Sequence, residues 1–507
     1  MYIARLLCLL VFILTASSLM AQRTDTTYAQ ALRPQYHFSP KANWINDPNG
    51  LVYHDGEYHL FYQHNPFGIR WGHMTWGHAV SRDLVHWTEL PPAIAEENGT
   101  MIFSGSCVVD QNNTSGFGKN GLVPMVAIYT GHQEGLNQSQ HLAFSLDKGR
   151  TWTKYAGNPV IDLKQKDFRD PKVFWHEPTK RWIMAVVLPK ENKLLIYGSR
   201  NLKNWERLSE FTSATTPATI WECPDLLELP VDGTTEKKWV LLMSMGGGAP
   251  AGGSGMQYFI GDFDGKTFTS RHSDVRFLDY GKDYYAAITY NNTPRRVSIG
   301  WMNNWQYAND IPTTPFRGAM TLPRELRLVN VGNRYELRQR PVAELNQLAS
   351  DAFQWRGIEL SQLNESIRKN RITGDSYVLT LIADVTEDFG VKVRKGDGEE
   401  TVIGYKTGGK QLYVDRTNSG QVNFKKEFTG RFTAPLQPEP QANVPSAPGR
   451  IQLQIWVDRS SVEIFANDGK VTMTNLIFPK QTSQGIEFFG NCLRSVTIRK
   501  VDSVWRK

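Results

Sequence analysis

Asp47-Pro48-Asn49-Gly50-Leu51-Val52-Tyr53-His54-Asp55-Gly56-Glu57-Tyr58-His59-Leu60-Phe61-Tyr62-Gln63 is two apolar-aromatic runs joined by an Asp-Gly pair. That pattern is the strongest short-range signal for a β-hairpin. The unit returns four times: 104–109 is answered by 125–129, 170–175 by 181–187, 222–227 by 239–243, and 283–288 by 297–301. A second signature follows the hairpins. Ser81-Arg82-Asp83-Leu84-Val85-His86-Trp87, Ser145-Leu146-Asp147-Lys148-Gly149-Arg150-Thr151-Trp152 and Ser199-Arg200-Asn201-Leu202-Lys203-Asn204-Trp205 each run from a Ser through a turn to a Trp, and 261–268 is a worn copy. Multi-strand repeats longer than 40 residues predict propeller blades, in which sheets around an axis leave few exposed edges. The expected fold is all-β: a five-bladed β-propeller over 35–337 followed by a C-terminal β-sandwich over 353–507. Between them, 341–349 has helical spacing, and 338–352 is expected to be a linker helix. Beyond it, alternating runs at 376–383, 411–414, 451–457, 461–465 and 486–489 are separated by turn residues. The Pro-rich stretch 435–448 is expected to be a surface loop.

Composition agrees with that class. The 507 residues include 42 Gly, 26 Pro, 15 Trp, 19 Tyr and 24 Phe, a mix that favours short strands and tight turns over helices. Residues 1–21 read as a secretory signal: Arg5, an apolar stretch to Thr15, then small residues ending at Ala21. The protein is therefore expected to be exported, to the periplasm or beyond, with no membrane span in the mature chain. Only Cys107, Cys223 and Cys492 then remain, too few for a disulfide framework. The net charge of +7 comes without a long basic block or a zinc-finger, RNP or basic-helix pattern, which argues against nucleic acid as a partner. A monomer is expected.

Three of the five units open on an acid followed within two residues by Pro: Asp47, Asp170 and Glu222. First strands of propeller blades line the axis, so equivalent points on different blades meet, and Asp283 would add a fourth carboxyl. Carboxylates gathered this way repel one another and are costly to desolvate, so chemistry is the better explanation. A pair of carboxyls is what a retaining glycosidase requires, one attacking and one donating a proton. Glu222, between Trp221 and Cys223, suits the proton donor better than Asp47 beside Asn46 and Asn49. Trp44, Trp71, Trp76, Trp221, Tyr284 and Trp305 supply aromatic faces for a sugar, with Trp71 and Trp305, in Gly- and Asn-bearing loops, the best placed for exposure. His73, His78 and His86 lack metal-ligand spacing and read as surface or loop histidines. The segment 246–253 lacks the Gly-Lys-Ser/Thr ending of a phosphate loop and reads as a mobile loop near the rim.

At these residues the chain resembles glycoside hydrolase family 32, the β-fructosidases. W-I-N-D-P-N-G at 44–50 resembles the family's sucrose box, F-R-D-P at 168–171 its arginine-aspartate motif, and E-C-P at 222–224 its acid/base motif. F-Y-Q-H-N-P at 61–66, F-S-G-S at 103–106 and V-D-R-S-S-V-E-I-F-A-N-D-G at 457–469 extend the likeness. The resemblance implies Asp47 as nucleophile, Asp170 as transition-state stabiliser and Glu222 as acid/base. It implies substrate contacts from Asn46, Gln63, Trp71, Phe103, Ser104, Arg169, Tyr284 and Trp305, and no metal or organic cofactor. It implies retaining release of terminal fructose from levan or inulin, and from sucrose. An invertase with sucrose as its main substrate, a fructosyltransferase using the same triad, and a fructan-binding module with a dead site are the rival readings. The sandwich is expected to buttress the propeller rather than bind glycan.

Overall fold

The computed structural model describes residues 27–505 apart from 218, 333 and 442–446. The signal segment expected at 1–21 and the centre of the Pro-rich stretch lie outside the described residues. The chain is all-β. Five antiparallel sheets follow one another along the sequence. Sheet 1 holds Asn43–His54, Glu57–Asn65, Thr75–Ser81 and Thr88–Ile94. Sheet 2 holds Thr100–Val109, Met125–Gln133, Asn137–Ser145 and Thr153–Lys154, with Ile161–Gln165 also pairing the third of these. Sheet 3 holds Arg169–His176, Arg181–Leu188, Lys193–Ser199 and Glu206–Phe211. Sheet 4 holds Trp221–Pro230, Lys237–Met245, Gly255–Phe263 and Phe268–Ser270. Sheet 5 holds Tyr285–Thr289, Val297–Trp301, Arg324–Val331 and Arg334–Pro341. All five hairpins read from the sequence are present. In the first, Asp55 and Gly56 both take positive φ, 49° and 85°, as a two-residue type I′ turn requires.

The first strands of successive sheets lie side by side, and that of sheet 5 lies beside that of sheet 1. The five sheets thus close into a ring around their first strands. Two contacts seal it. Phe316–Arg317 returns to pair in parallel with Asn43 and Trp44 on sheet 1. Asn291, after the first strand of sheet 5, donates its backbone N–H to Leu51 O and its side-chain amide to Cys107 O and Val173 O, tying three other first strands at one end. The Ser-to-Trp signatures are one loop built three times. Ser81, Ser145 and Ser199 bond Asp83, Asp147 and Asn201. Those Asx side chains accept backbone N–H groups of the turn, and Trp87, Trp152 and Trp205 close it by donating to Leu84 O, Gly149 O and Leu202 O.

Within the expected linker, Ala343–Leu348 forms a 3-10 helix directly between the strands Arg334–Pro341 and Ala349–Arg356. The remainder makes a six-stranded sheet and a five-stranded sheet, with one helix, Leu360–Lys369. Leu379, Leu381, Ile455 and Ile464 of the six-stranded sheet meet Val391, Ile403 and Val414 of the five-stranded one in a continuous core, joined by Leu363 and Ile367 of the helix. Among the described residues no helix is long and apolar enough to cross a membrane.

Candidate active site

In all five sheets the first strand carries one extra residue at the same place. Ile45 and Pro48 face His64 and Tyr62, Ile102 and Gly105 face Gly131 and Tyr129, Arg169 and Lys172 face Val187 and Ala185, Glu222 and Asp225 face Ser244 and Leu242, and Tyr285 and Ile288 face Trp301 and Ile299. Each is a β-bulge, which bends the strand and re-aims its side chains. The bulge pairs are Asn46–Asp47, Phe103–Ser104, Asp170–Pro171, Cys223–Pro224 and Ala286–Ala287. Asp170, Cys223 and Ala286 sit at φ of 66°, 45° and 52°. The register corrects the expectation that the three acids occupy one equivalent point. Glu222 precedes its bulge, Asp170 is the first residue of its bulge, and Asp47 is the second of its own.

The side chains nevertheless converge. Asp47 Oδ2 accepts from Ser104 Oγ at 2.9 Å and lies 3.5 Å from the Cys223 thiol, while Oδ1 has no partner of hydrogen-bonding geometry among the described residues. Asp170 Oδ2 accepts from Cys223 N–H at 3.0 Å, with the same thiol 3.6 Å away. The Asp170 N–H donates to Thr130 Oγ1 at 3.0 Å. Arg169 donates from Nε and Nη2 to Glu222 Oε1 at 3.0 and 2.9 Å, and its Nε lies 4.0 Å from Asp170 Oδ2. Asp167 and Gln138 hold the far side of that guanidinium. Tyr285 donates its hydroxyl to Glu222 Oε2. Burial, and then the charge of Glu222, raise the Asp47 carboxyl above its ordinary value. Asp170 is pushed up to about 7, chiefly by burial, with Arg169 opposing and Glu222 and Asp47 adding to the rise. Burial, and next the charge of Asp170, push the Cys223 thiol well up, so it stays protonated and serves as a donor to the two aspartates.

The expected contact residues distribute around this cluster. Ser104 and Arg169 bind the acids directly. Asn46 Oδ1 accepts from Trp44 Nε1 at 2.7 Å, and Gln63 is buried with its side-chain amide Nε2 unpartnered among the described residues. Phe103 is half-buried and stacks on His132 at 4.3 Å, with Trp71 edge-on at 6.1 Å. Trp71 is 41% exposed and is held by Asn309. Trp305 is half-buried against Trp301 and Trp44. Five expectations need correction. Tyr284 is buried away from the acids, its hydroxyl 3.4 Å from Gln339 and its ring under Arg324. Neighbours on a strand face opposite ways, so Tyr285 is the one that reaches Glu222. Asp283 is not a fourth acid; it is fully buried in an ion pair with Arg416. His78 is buried in its strand, stacked on Phe61, because strands enclosed on both faces bury polar rings too. The glycine-rich segment 246–253 is anchored: Lys282 Nζ donates to Ala251 O, Gly252 O and Gln306 Oε1. Trp44, Trp76 and Trp221 are fully buried and belong to the core. Sequence reasoning missed Tyr285, Thr130, Gln138 and Asp167 and gave Cys223 no role. Of these only Cys223 had a signal, its place inside E-C-P.

Residues 37–341 match the glycosyl hydrolases family 32 N-terminal domain, and 344–503 the glycosyl hydrolases family 32 C-terminal domain. A levanase of Bacillus subtilis (strain 168) is 47% identical over 97% of this chain and 74% of that protein. An extracellular exo-inulinase of Aspergillus ficuum is 43% identical over 89% of this chain and 90% of that protein. The crystal structure of an exo-inulinase from Aspergillus awamori superposes with a TM-score of 0.86 at 38% identity, covering 94% of this chain and all of that one. Two domain matches in series and an acid cluster drawn from three sheets lead to one conclusion: the chain belongs to glycoside hydrolase family 32.

Proposed function

We propose that the protein is an exported, exo-acting β-fructosidase that releases terminal fructose from levan or inulin and also cleaves sucrose. The carrying observation is the convergence of Asp47, Asp170 and Glu222 through the Cys223 thiol and the Arg169 guanidinium. The names of the levanase and exo-inulinase relatives support the substrate class, and the signal-like residues 1–21 and the extracellular relatives support export. In this reading the five sheets are the blades of a five-bladed β-propeller (35–337), joined through 338–352 to a β-sandwich (353–507); the closed ring of first strands supports it.

Asp47 is the nucleophile. Its Oδ2 is held by Ser104 and Cys223, which leaves Oδ1 to attack C2 of the fructosyl unit. Glu222 gives its proton to the glycosidic oxygen, the C2–O bond breaks, and a fructosyl ester forms on Asp47. Water then loses a proton to Glu222 and attacks C2, releasing fructose with retention. The charge of Glu222 is one cause of the raised Asp47 carboxyl. Proton donation by Glu222 starts from its neutral form, in which that charge is absent and ionised Asp47 is favoured. Asp170 sits where its charge favours an oxocarbenium-like transition state over the ground state. The test is Asp47→Asn. Fructan binding should persist while hydrolysis falls by at least about 10³-fold; unchanged turnover would remove Asp47 from the role. Early products on levan, inulin and sucrose test the exo mode: fructose alone supports it, and mixed oligosaccharides refute it.

A further inference from the structure

A cavity of about 770 Å³ lies away from the acids. It lies at the opposite end of the same first strands, lined by sheets 2, 3, 4 and 5. Asp170 and Trp175 share one strand and are five residues apart, roughly 15 Å at the strand rise. Trp175, Trp239 and Phe174 line the cavity and are half-buried, leaving aromatic surface toward it. Trp175 is fixed edge-on to Trp182 at 5.1 Å, and its Nε1 donates to Glu177. Phe174 packs on Trp239 at 5.4 Å. Six of the charges in the wall are paired: Lys172 with Asp225, Lys180 with Glu177, and Lys237 with Glu228; Arg296 has no carboxylate partner among the described residues. Arg296 spends two donors on Glu228 O and Thr293 O. At the inner end Asp225 is fully buried, and its Oδ1 has no hydrogen-bond partner among the described residues.

Aromatic surface bordered by three ion pairs, and by one guanidinium already bonded to two carbonyls, suits a polyhydroxylated, uncharged ligand, whose C–H faces pack on indole and whose hydroxyls bond the rim. We propose that this cavity is a second, non-catalytic binding site for a neutral oligosaccharide. Resting on the β-fructosidase reading, its occupant is another stretch of the fructan being degraded. Such a site would hold polymer on the enzyme between turnovers and raise its local concentration.

Calorimetry with the β-2,1-linked tetrasaccharide nystose tests this on the full chain carrying Asp47→Asn. Two binding events per chain are expected there, and one when Trp175→Ala is added. Trp175→Phe, which keeps a flat ring, should restore the second event and so separates loss of the ring from loss of fold. In the otherwise native enzyme, Trp175→Ala should raise KM for long inulin several-fold relative to KM for sucrose. A single event in Asp47→Asn, two events surviving Trp175→Ala, or preferential binding of a sulfated oligosaccharide at Trp175 would each overturn the proposal. Absence of fructan hydrolysis by the native protein would instead sink the β-fructosidase reading alone, because the Trp175-dependent titration does not pass through the acids.

Discussion

Asp170 is buried against two other carboxyls, and burial with their charge lifts it to about 7. A carboxyl raised in the folded state stabilises the fold below its unfolded value, and that contribution is lost as pH rises through the folded value. At neutral pH and above, Asp170 therefore strains the fold it serves. Asp170→Asn keeps an acceptor for the Cys223 N–H and removes the charge. It should raise the melting temperature at pH 8, with the gain over wild type shrinking toward pH 4, while kcat on sucrose collapses; calorimetric melts across that range check it. Tyr285 is the second residue-scale test. Its hydroxyl bonds Oε2 of the Glu222 carboxyl, and hydrogen bonds to carboxylates are worth about 1.5–3 kcal/mol. Tyr285→Phe should lower kcat/KM by roughly 10- to 100-fold, whereas Tyr284→Phe, whose hydroxyl bonds Gln339 and no acid, should leave it unchanged. The choice between these adjacent tyrosines was not legible in the sequence. Two aromatics in an apolar strand look alike until the register says which one turns toward the axis.

At the scale of elements, the repeat was legible for a reason the loops now supply. A Ser, an Asx and a Trp are each needed to close the strand-to-strand turn, so three residue types recur at fixed spacing. Asn201 accepts the N–H groups of Lys203 and Asn204. Asn201→Ala should cost about 1–2 kcal/mol of stability and leave activity intact, as read from the midpoint of urea unfolding alongside turnover of sucrose. The five bulges were invisible by the same logic. First strands buried on both faces show no inside-outside alternation, so one inserted residue breaks no pattern that could betray it. The acids seemed equivalent because each stands just ahead of a Pro, yet they occupy three successive positions around the bulge. The helix Leu360–Lys369 escaped notice because only Leu363 and Ile367 of its ten residues are buried, a stripe too thin to stand out. The strand Arg431–Pro435 alternates weakly and ends in Pro, which masks it as loop.

At the scale of the molecule, the ring of sheets and the C-terminal sheets are joined by buried charge that no local pattern announces, since its partners lie far apart in the chain. Arg416 reaches Asp283, Tyr307, Leu476 O and Phe428 O. Arg324 reaches Asp279, Gln339, Glu463 and Thr474. His37 extends the second cluster, with Nδ1 2.7 Å from Asp458 and Nε2 2.9 Å from Glu463. A histidine with carboxylates on both ring nitrogens must donate from both, which only the protonated ring can do. Burial works against that charge, but the bonds to Asp458 and Glu463 outweigh it and lift the ring to about 9. The sign follows: a raised histidine adds stability that is complete below its unfolded value near 6.5 and is lost as pH rises through 9. The amount at stake is on the order of 3 kcal/mol. Denaturation midpoints should therefore fall between pH 7 and 10 as the N-terminal segment loosens from the six-stranded sheet. His37→Gln should be the less stable protein at pH 6, yet its curve should meet that of wild type above pH 9. Parallel curves would mean that the proton on His37 does not clamp the two halves together.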